Sequence, residues 1–246
     1  STIHCWDDEK GYFTSKYRRY AYVRDGNGAH TSIHGERLKK INFWKSEDNI
    51  ELYESDVNEI TRFLIDQYGD SDEVSKGHTI LTFDIEVEMN SGLPDIDKAQ
   101  NAMTSVAGHD SVTGDYFVYV VNKGEKIDKT IKGAKVISFD TEEDMVMAFL
   151  NKWREINPTI VTGWNIDYFD VTYLYNRIKV LFGEQTANKL SPIGKVGYNK
   201  YRNRYIIAGV SCLDYLALYK NFTYQEFPNY RLDTIANIVL GRGKIE

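Results

Sequence analysis

The stretch Ile80-Leu-Thr-Phe-Asp-Ile-Glu-Val87 sets a conflict that any fold of this chain has to resolve. Successive side chains of a strand point to opposite faces, so residues two apart share a face about 6.6 Å apart along the chain. The alternation predicts a strand over 80–88, with Leu81, Phe83, Ile85 and Val87 on one face and Asp84, Glu86 and Glu88 on the other. Carboxylates side by side on a dry face would repel one another and lose their hydration. Two arrangements relieve this. Either the strand lies at a half-exposed edge with its acids in water, or a divalent cation, which favours hard oxygen ligands, compensates them.

A second segment sharpens the choice. Pro158-Thr-Ile-Val-Thr-Gly-Trp-Asn165 predicts a short strand that breaks at Gly163. It leads into a helix over 171–182, with Val171, Leu174, Ile178 and Leu181 at helical spacing and a stop at Gly183. Asp170 falls where strand hands over to helix, the place of an N-cap or of a first-turn acid favoured by the helix dipole. Asn165 reads as a turn residue.

Around these segments the chain divides at Gln67–Gly77, a polar, glycine-bearing stretch, giving a small β-rich (α+β) domain over 1–78 and a larger α/β domain over 79–246. In the first, strands are expected at Tyr20–Val23 and Ile41–Trp44 about the turn Asp25-Gly-Asn-Gly28, then a helix over 55–65 capped by Ser55 or Asp56. In the second, a meander of strands at 80–88, 103–109 and 116–121 precedes a strand at 135–139. Thr141-Glu-Glu-Asp144 then opens a helix through Trp153 in capping-box fashion.

Composition narrows the function classes. The net charge of −6 argues against indiscriminate nucleic-acid binding, so any such contact is local and metal-assisted. Cys5 and Cys212 give no disulfide framework, and with no signal peptide or long apolar run the chain reads as intracellular, without a membrane segment. Five histidines lack metal-ligand spacing, and His109 reads as a turn-flanking surface residue. Eighteen tyrosines fill core and half-buried surface, with some free to stack on unpaired bases. Basic residues gather in Lys195–Arg204, interleaved with Tyr198 and Tyr201, which suits either a hairpin contacting single-stranded DNA or a solvated hairpin with edge lysines. A second basic patch, Lys16–Tyr20 with Arg37–Lys45, reads as the coat of a small sheet.

Asp84-Ile85-Glu86, followed by Asn165, three residues and then Phe169-Asp170, resembles the first and second motifs of the 3′→5′ exonuclease domain of family B DNA polymerases, especially those of large tailed phages. The flanks Thr162-Gly-Trp-Asn165, Leu190-Ser-Pro-Ile-Gly-Lys195 and Leu213-Asp-Tyr-Leu-Ala-Leu-Tyr-Lys220 carry the likeness from about Thr79 to Glu246. The resemblance implies a ribonuclease H-like mixed sheet with flanking helices, and Mg²⁺ or Mn²⁺ in a two-ion site. Two such ions about 3.5–4 Å apart clamp both oxygens of an in-line displacement. It makes Asp84, Glu86 and Asp170 the catalytic metal ligands, with Asn165 and Phe169 at the terminal nucleotide. Lys200, Arg202 and Arg204 become contacts of a hairpin on single-stranded DNA at the primer 3′ end. It also implies work in the cytoplasm, that of the host if the source is viral.

One departure accompanies the resemblance. The family's third motif, Tyr-x-x-x-Asp, supplies a fourth carboxylate and a tyrosine that orients the water, and its place lies beyond Leu232–Gly241. The string Tyr68 to Asp72 precedes the first motif and reads as chance, and palm motifs are absent. The expectation is a truncated piece, or one part of a split polymerase completed in cis or by a partner chain. The other functional readings are a non-catalytic DNA-binding or assembly module and a stand-alone ribonuclease of the same superfold. Asp214 and Asp233 are candidates for proximity to the site, with a helix-start acid as the commoner role of each.

Overall fold

The computed structural model describes residues 1–7, 11–45, 50–72, 77–89, 92, 94–124 and 126–243, and chain contacts separate a unit Ser1–Gly77 from a unit His78–Glu246. Residues 73–76 of the polar stretch at 67–77 lie outside the described residues.

In the first unit β1 (Thr2–Asp7) and β2 (Gly11–Lys16) pair antiparallel, and β3 (Ala21–Arg24), β4 (His30–Thr31) and β5 (Arg37–Ile41) form a sheet of order β3-β5-β4. The second strand therefore comes before the expected 41–44. Its register, Ala21↔Ile41 to Arg24↔Leu38, buries Leu38, and the single buried apolar side chain among charges hid it in the sequence. The helix also starts later than expected, as α1 (Glu59–Tyr68), with Asn58 Oδ1 accepting from the Thr61 N–H at 2.9 Å. Tyr53 pairs with Tyr22 through both backbone bonds, 3.0 and 2.9 Å, and a turn over 54–57, with Glu54 at φ 59°, then separates it from the helix. The basic patch lies on aromatic rings here, with Lys40 Nζ 3.5 Å from the Tyr20 centroid and the Arg19 guanidinium 4.1 Å from that of Trp44.

The second unit runs β6 (Ile80–Val87), β7 (Met103–Asp110), β8 (Tyr116–Val121), β9 (Asp128–Ile131), β10 (Ala134–Phe139), α2 (Glu142–Ile156), β11 (Ile160–Gly163) and α3 (Asp170–Phe182). A short α4 (Glu184–Ala187) follows, then β12 (Val196–Asn199), β13 (Arg204–Ile207), β14 (Ser211–Asp214), α5 (Tyr215–Phe222) and α6 (Leu232–Leu240). Seven strands make one mixed sheet of order β14-β11-β6-β7-β8-β10-β9. β14, β11 and β6 run parallel, and β7 and β8 continue antiparallel as the expected meander. This is the mixed α/β sheet with flanking helices of a ribonuclease H-like domain. β6 is the third strand of seven, which rules out the edge position as the relief for its acids. His109 lies at the end of β7, flanking the turn to β8 as expected; it is half-buried, its ring 4.3 Å from that of Tyr116 on β8. Among the described residues no helix is long and apolar enough to cross a membrane.

The apolar face of β6 makes the core. Leu81, Phe83 and Ile85 are buried with Val106, Phe149, Trp153, Val161, Val171, Leu174 and Ile178, so β6, α2, β11 and α3 share one interior. Phe83 lies 5.7 Å from both the Phe149 and Trp153 rings, and the Trp153 indole N–H donates to the Leu190 carbonyl at 2.9 Å. At the start of α2 the Thr141 hydroxyl accepts from the Asp144 N–H at 3.1 Å, as the capping pattern predicts. Buried Glu142, one residue on, accepts from Arg177 Nε of α3 and from the Met103 N–H, both at 2.7 Å. Arg177 Nη1 donates to the Ala99 and Gln100 carbonyls at 3.0 and 3.2 Å. This buried pair ties both helices to the segment that leaves β6.

Where β11 ends, a Cβ on Gly163 would stand 2.8 Å from the Phe83 carbonyl oxygen and 3.1 Å from Ile166 Cδ1. Only glycine admits this approach of β11 to β6. Gly163→Ala is expected to lower stability by about 1–3 kcal/mol through forced backbone displacement. That reads as a fall of about 2–4 °C in melting temperature per kcal/mol for a unit of this size. A thermal unfolding curve superimposable on the wild type would show that the strands tolerate the methyl.

Candidate active site

The alternation in β6 leaves Asp84 and Glu86 exposed on one face, with Thr82 beside them, while Leu81, Phe83 and Ile85 go inward. On the neighbouring strand the same face carries Ala107 opposite Asp84 and Ser105 opposite Glu86, so small side chains leave room in front of the carboxylates. The pairing of β11 with β6 stops at Thr162↔Thr82. Just past that point the chain turns back, and α3 begins at Asp170.

Position alone makes Asp170 a cap or first-turn acid, and the family resemblance makes it a partner of Asp84. It is the first residue of α3, and Phe169 at the cap position makes no side-chain cap bond. The carboxylate points across instead, Oδ1 accepting from the Ile85 N–H of β6 at 3.0 Å. Asp170 is 5 % exposed. Burial first, and the negative charge of Asp84 second, push its carboxyl up to about 7 from an ordinary 3.8; the bond from Ile85 opposes the rise and Asp214 adds to it. The structure thus brings Asp170 into the field of Asp84, joining two segments 86 residues apart.

The turn between β11 and α3 is built to deliver this residue. Asn165 takes the left-handed conformation, φ 64°, which asparagine tolerates better than most side chains, and its carbonyl accepts from the Phe169 N–H at 3.3 Å. Phe169 stacks on Tyr173 with ring centroids 5.5 Å apart and packs against the core. The Trp164 indole N–H donates to the Tyr230 carbonyl at 3.0 Å. Asp214, at the end of β14, caps α5 as expected, its Oδ1 accepting from the Leu216 N–H at 2.9 Å. It also accepts from the Asn165 N–H at 3.1 Å and the Asp167 N–H at 3.3 Å. Sequence reading left Asp214 a candidate for proximity to the site without these partners. An aspartate before a helix signals its cap, but nothing local signals a partner 49 residues earlier.

The basic segment forms the expected hairpin, β12 with β13 in antiparallel register Val196↔Ile207 to Asn199↔Arg204. Lys200, Arg202 and Arg204 are not equivalent. Lys200 and Arg202 are exposed in the connecting turn, whereas Arg204 pairs with Asp167 of the turn before α3. The other oxygen of Asp167, Oδ1, is buried without a hydrogen-bond partner. Tyr205 anchors the hairpin on α3, its hydroxyl donating to Asn176 Oδ1 at 2.8 Å and its ring 4.1 Å from that of Tyr175. A cleft of about 260 Å³ opens between Asp167, Tyr168, Arg202, Arg204, Asp214 and Ala217.

The donor set at the head of α3 is all carboxylate, with Asp170 disfavoured as an anion by Asp84. That chemistry suits a hard divalent cation. Among the described residues no group of three or more His, Cys, Asp or Glu side chains is placed to hold a metal ion. Glu86 shares the face of Asp84 without being gathered with Asp170 into such a group.

Residues 69–235 match the exonuclease domain of DNA polymerase family B. The chain is 35 % identical to the DNA-directed DNA polymerase of Escherichia phage RB69 over 219 residues, which is 75 % of this chain and 24 % of that protein. It is 33 % identical to the corresponding enzyme of Enterobacteria phage T4 over 190 residues, 66 % of this chain and 21 % of the relative. A DNA polymerase of Orgyia pseudotsugata multicapsid polyhedrosis virus is 25 % identical over 202 residues, 75 % of this chain and 20 % of that protein. The chain therefore spans about a quarter of the length of the phage relatives that it matches.

The raised carboxyl gives a stability prediction for metal-free protein. With a folded value of about 7 and an unfolded one near 3.8, the native state holds the extra proton in between. Stability then falls as pH rises through that window and stays reduced above it. Asp170→Asn keeps an acceptor for Ile85 and removes the charge. In EDTA at pH 8 it is expected to be more stable than wild type by on the order of 2–4 kcal/mol, with the advantage vanishing towards pH 4. Denaturant unfolding at the two pH values checks this; equal midpoints at pH 8 would show that the buried charge carries no penalty.

Proposed function

The chain belongs to the family B DNA polymerases through their exonuclease domain, and on that premise we propose that residues 79–246 are the proofreading 3′→5′ exonuclease region of such a polymerase. Its reaction is hydrolysis of the 3′-terminal phosphodiester of single-stranded DNA. The observation that carries the reading is Asp170, a buried carboxyl held on β6 at the Ile85 N–H and raised by the charge of Asp84.

Asp84, Glu86 and Asp170 would hold Mg²⁺ or Mn²⁺, as two ions in the complete enzyme. Bound there, the metal would offset the carboxylate charges and polarise both the attacking water and the scissile phosphodiester. The chain's own residues orient the substrate. Asn165 would hold the terminal nucleotide, and Phe169, fixed by its stacking on Tyr173, would form the wall beside it. Lys200 and Arg202 would meet backbone phosphates of the single strand, while Arg204 serves the turn through Asp167. Residues 1–78 would be the polymerase's N-terminal domain. The remainder of the polymerase, in cis or as a separate chain, would carry the Tyr-x-x-x-Asp motif and raise the rate by positioning the water, an effect worth orders of magnitude. Such an enzyme would work in the cytoplasm of the host cell.

The test is a time course on 3′-labelled single-stranded DNA with Mg²⁺, Mn²⁺ or EDTA. Release of mononucleotides from the 3′ end is expected, slow for this chain alone, faster within the full polymerase, and abolished by EDTA and by Asp84→Ala. Because Asp84 is exposed, its removal leaves no core cavity, so the variant should stay folded. Metal-independent hydrolysis, or full activity in Asp84→Ala, would falsify the assignment. Binding of DNA without hydrolysis in the full polymerase would favour the non-catalytic module instead.

The hairpin is tested separately. Reversing charge at Lys200 and Arg202 together is expected to weaken binding of single-stranded DNA and to reduce its log–log salt slope by about 0.7–1.4. Stability should hardly change, since both side chains are exposed. An unaltered salt slope would make the segment an ordinary solvated hairpin.

A further inference from the structure

We infer that Asp214 is a positioning residue of the exonuclease site, acting through the backbone of the turn that presents Asn165 and Asp170; the inference rests on the exonuclease reading above. The parallel register of β14 on β11 sets Asp214 directly beside Gly163, the last residue of β11. One carboxylate then receives four N–H groups from two directions. From the turn come Asn165 at 3.1 Å and Asp167 at 3.3 Å, and from α5 come Leu216 at 2.9 Å and Ala217 at 3.4 Å.

The turn needs this support. Asn165 holds a left-handed backbone that costs a non-glycine residue of order 1 kcal/mol and persists where its surroundings over-determine it. Hydrogen bonds from amides to a carboxylate are charge-assisted and stronger than those between neutral groups. A second tether comes from the hairpin, where Arg204 pairs with Asp167. The turn is thus fixed at its main chain by the end of β14 and at its side chain by β13. Asp214 touches neither substrate nor reacting atoms in this scheme. Its effect passes through where Asn165 and Asp170 are held.

A helix cap alone would be a purely structural role, and the variants separate the two. Asp214→Ser keeps a good N-cap for α5 but is too short to reach the amides of Asn165 and Asp167. Asp214→Asn keeps both length and cap, and sets an N–H donor against one of the two turn amides. Thr141→Ala removes a cap of the same kind at α2, away from the turn. Amide hydrogen exchange read by NMR is combined with the affinity for an oligothymidylate with a free 3′-hydroxyl, in Ca²⁺ to prevent turnover. In Asp214→Ser the amides of Asn165 and Asp167 should exchange about tenfold faster and the oligonucleotide bind about tenfold more weakly. Asp214→Asn should show a smaller loss in the same direction, and it decides the matter if the serine variant does not fold. Thr141→Ala should match wild type in both measurements. Wild-type affinity in a folded Asp214→Ser or Asp214→Asn overturns the inference, as does faster exchange without weaker binding. A wild-type chain that does not hold the oligonucleotide overturns instead the exonuclease reading beneath it.

Discussion

Asp170 is held at the head of α3 against burial and against the charge of Asp84, and the bond it accepts from the Ile85 N–H opposes both. That bond sets demands on everything around it. β11 must stop where β6 still has an N–H to offer, the chain must turn within six residues, and α3 must start within reach. Gly163 meets the first demand by allowing a contact with the Phe83 carbonyl that any Cβ would prevent. Asn165 meets the second with its left-handed backbone. The third falls to the packing of α3, whose Val171, Leu174 and Ile178 are buried in the core with Phe83 and Ile85.

Packing alone would let α3 slide or rotate, since apolar contacts are non-directional. Directional bonds remove that freedom. Arg177 pairs with Glu142 at the start of α2 and donates to two carbonyls of the segment leaving β6. Asn176 donates to the Ile96 carbonyl at 3.0 Å, and the Tyr173 hydroxyl to that of Asn101 at 2.7 Å. A buried ion pair adds little net stability over a well-packed apolar replacement, because desolvation offsets the Coulomb gain. What it supplies here is alignment, because few placements of α3 satisfy the guanidinium on all these acceptors. One face of one helix therefore locks the strand of Asp84 and Glu86 to the helix of Asp170.

The hairpin shows how tertiary contacts redistribute roles among similar residues. Lys200, Arg202 and Arg204 look equivalent as a basic run. Once Arg204 is drawn to Asp167, the hairpin base becomes part of the turn's support, while Lys200 and Arg202 stay exposed at its tip. Tyr205 fixes that base on Tyr175 and Asn176.

The sequence by itself determined the local elements with strong patterns. The alternation of residues 80–87 specified β6 and its two faces, Thr141 specified the start of α2, and the heptad-like spacing of Val171 to Ile178 specified α3. It also determined the acidic character of the site, since Asp84 and Glu86 share a face once residues 80–87 form a strand. Weakly patterned pieces escaped it. β5 has one buried side chain among charges, and Ser55 and Asp56 fall in a turn, so α1 is capped by Asn58 instead. Only the tertiary structure decided that β6 lies inside the sheet, that Asp170 bonds across to Ile85 instead of capping its own helix, and that Asp214 serves a turn 49 residues away. The physical reason is range. Periodicity and capping act within a few residues, whereas the partners of a buried carboxylate are chosen by sheet register and helix packing, which bring distant backbone donors into hydrogen-bond range.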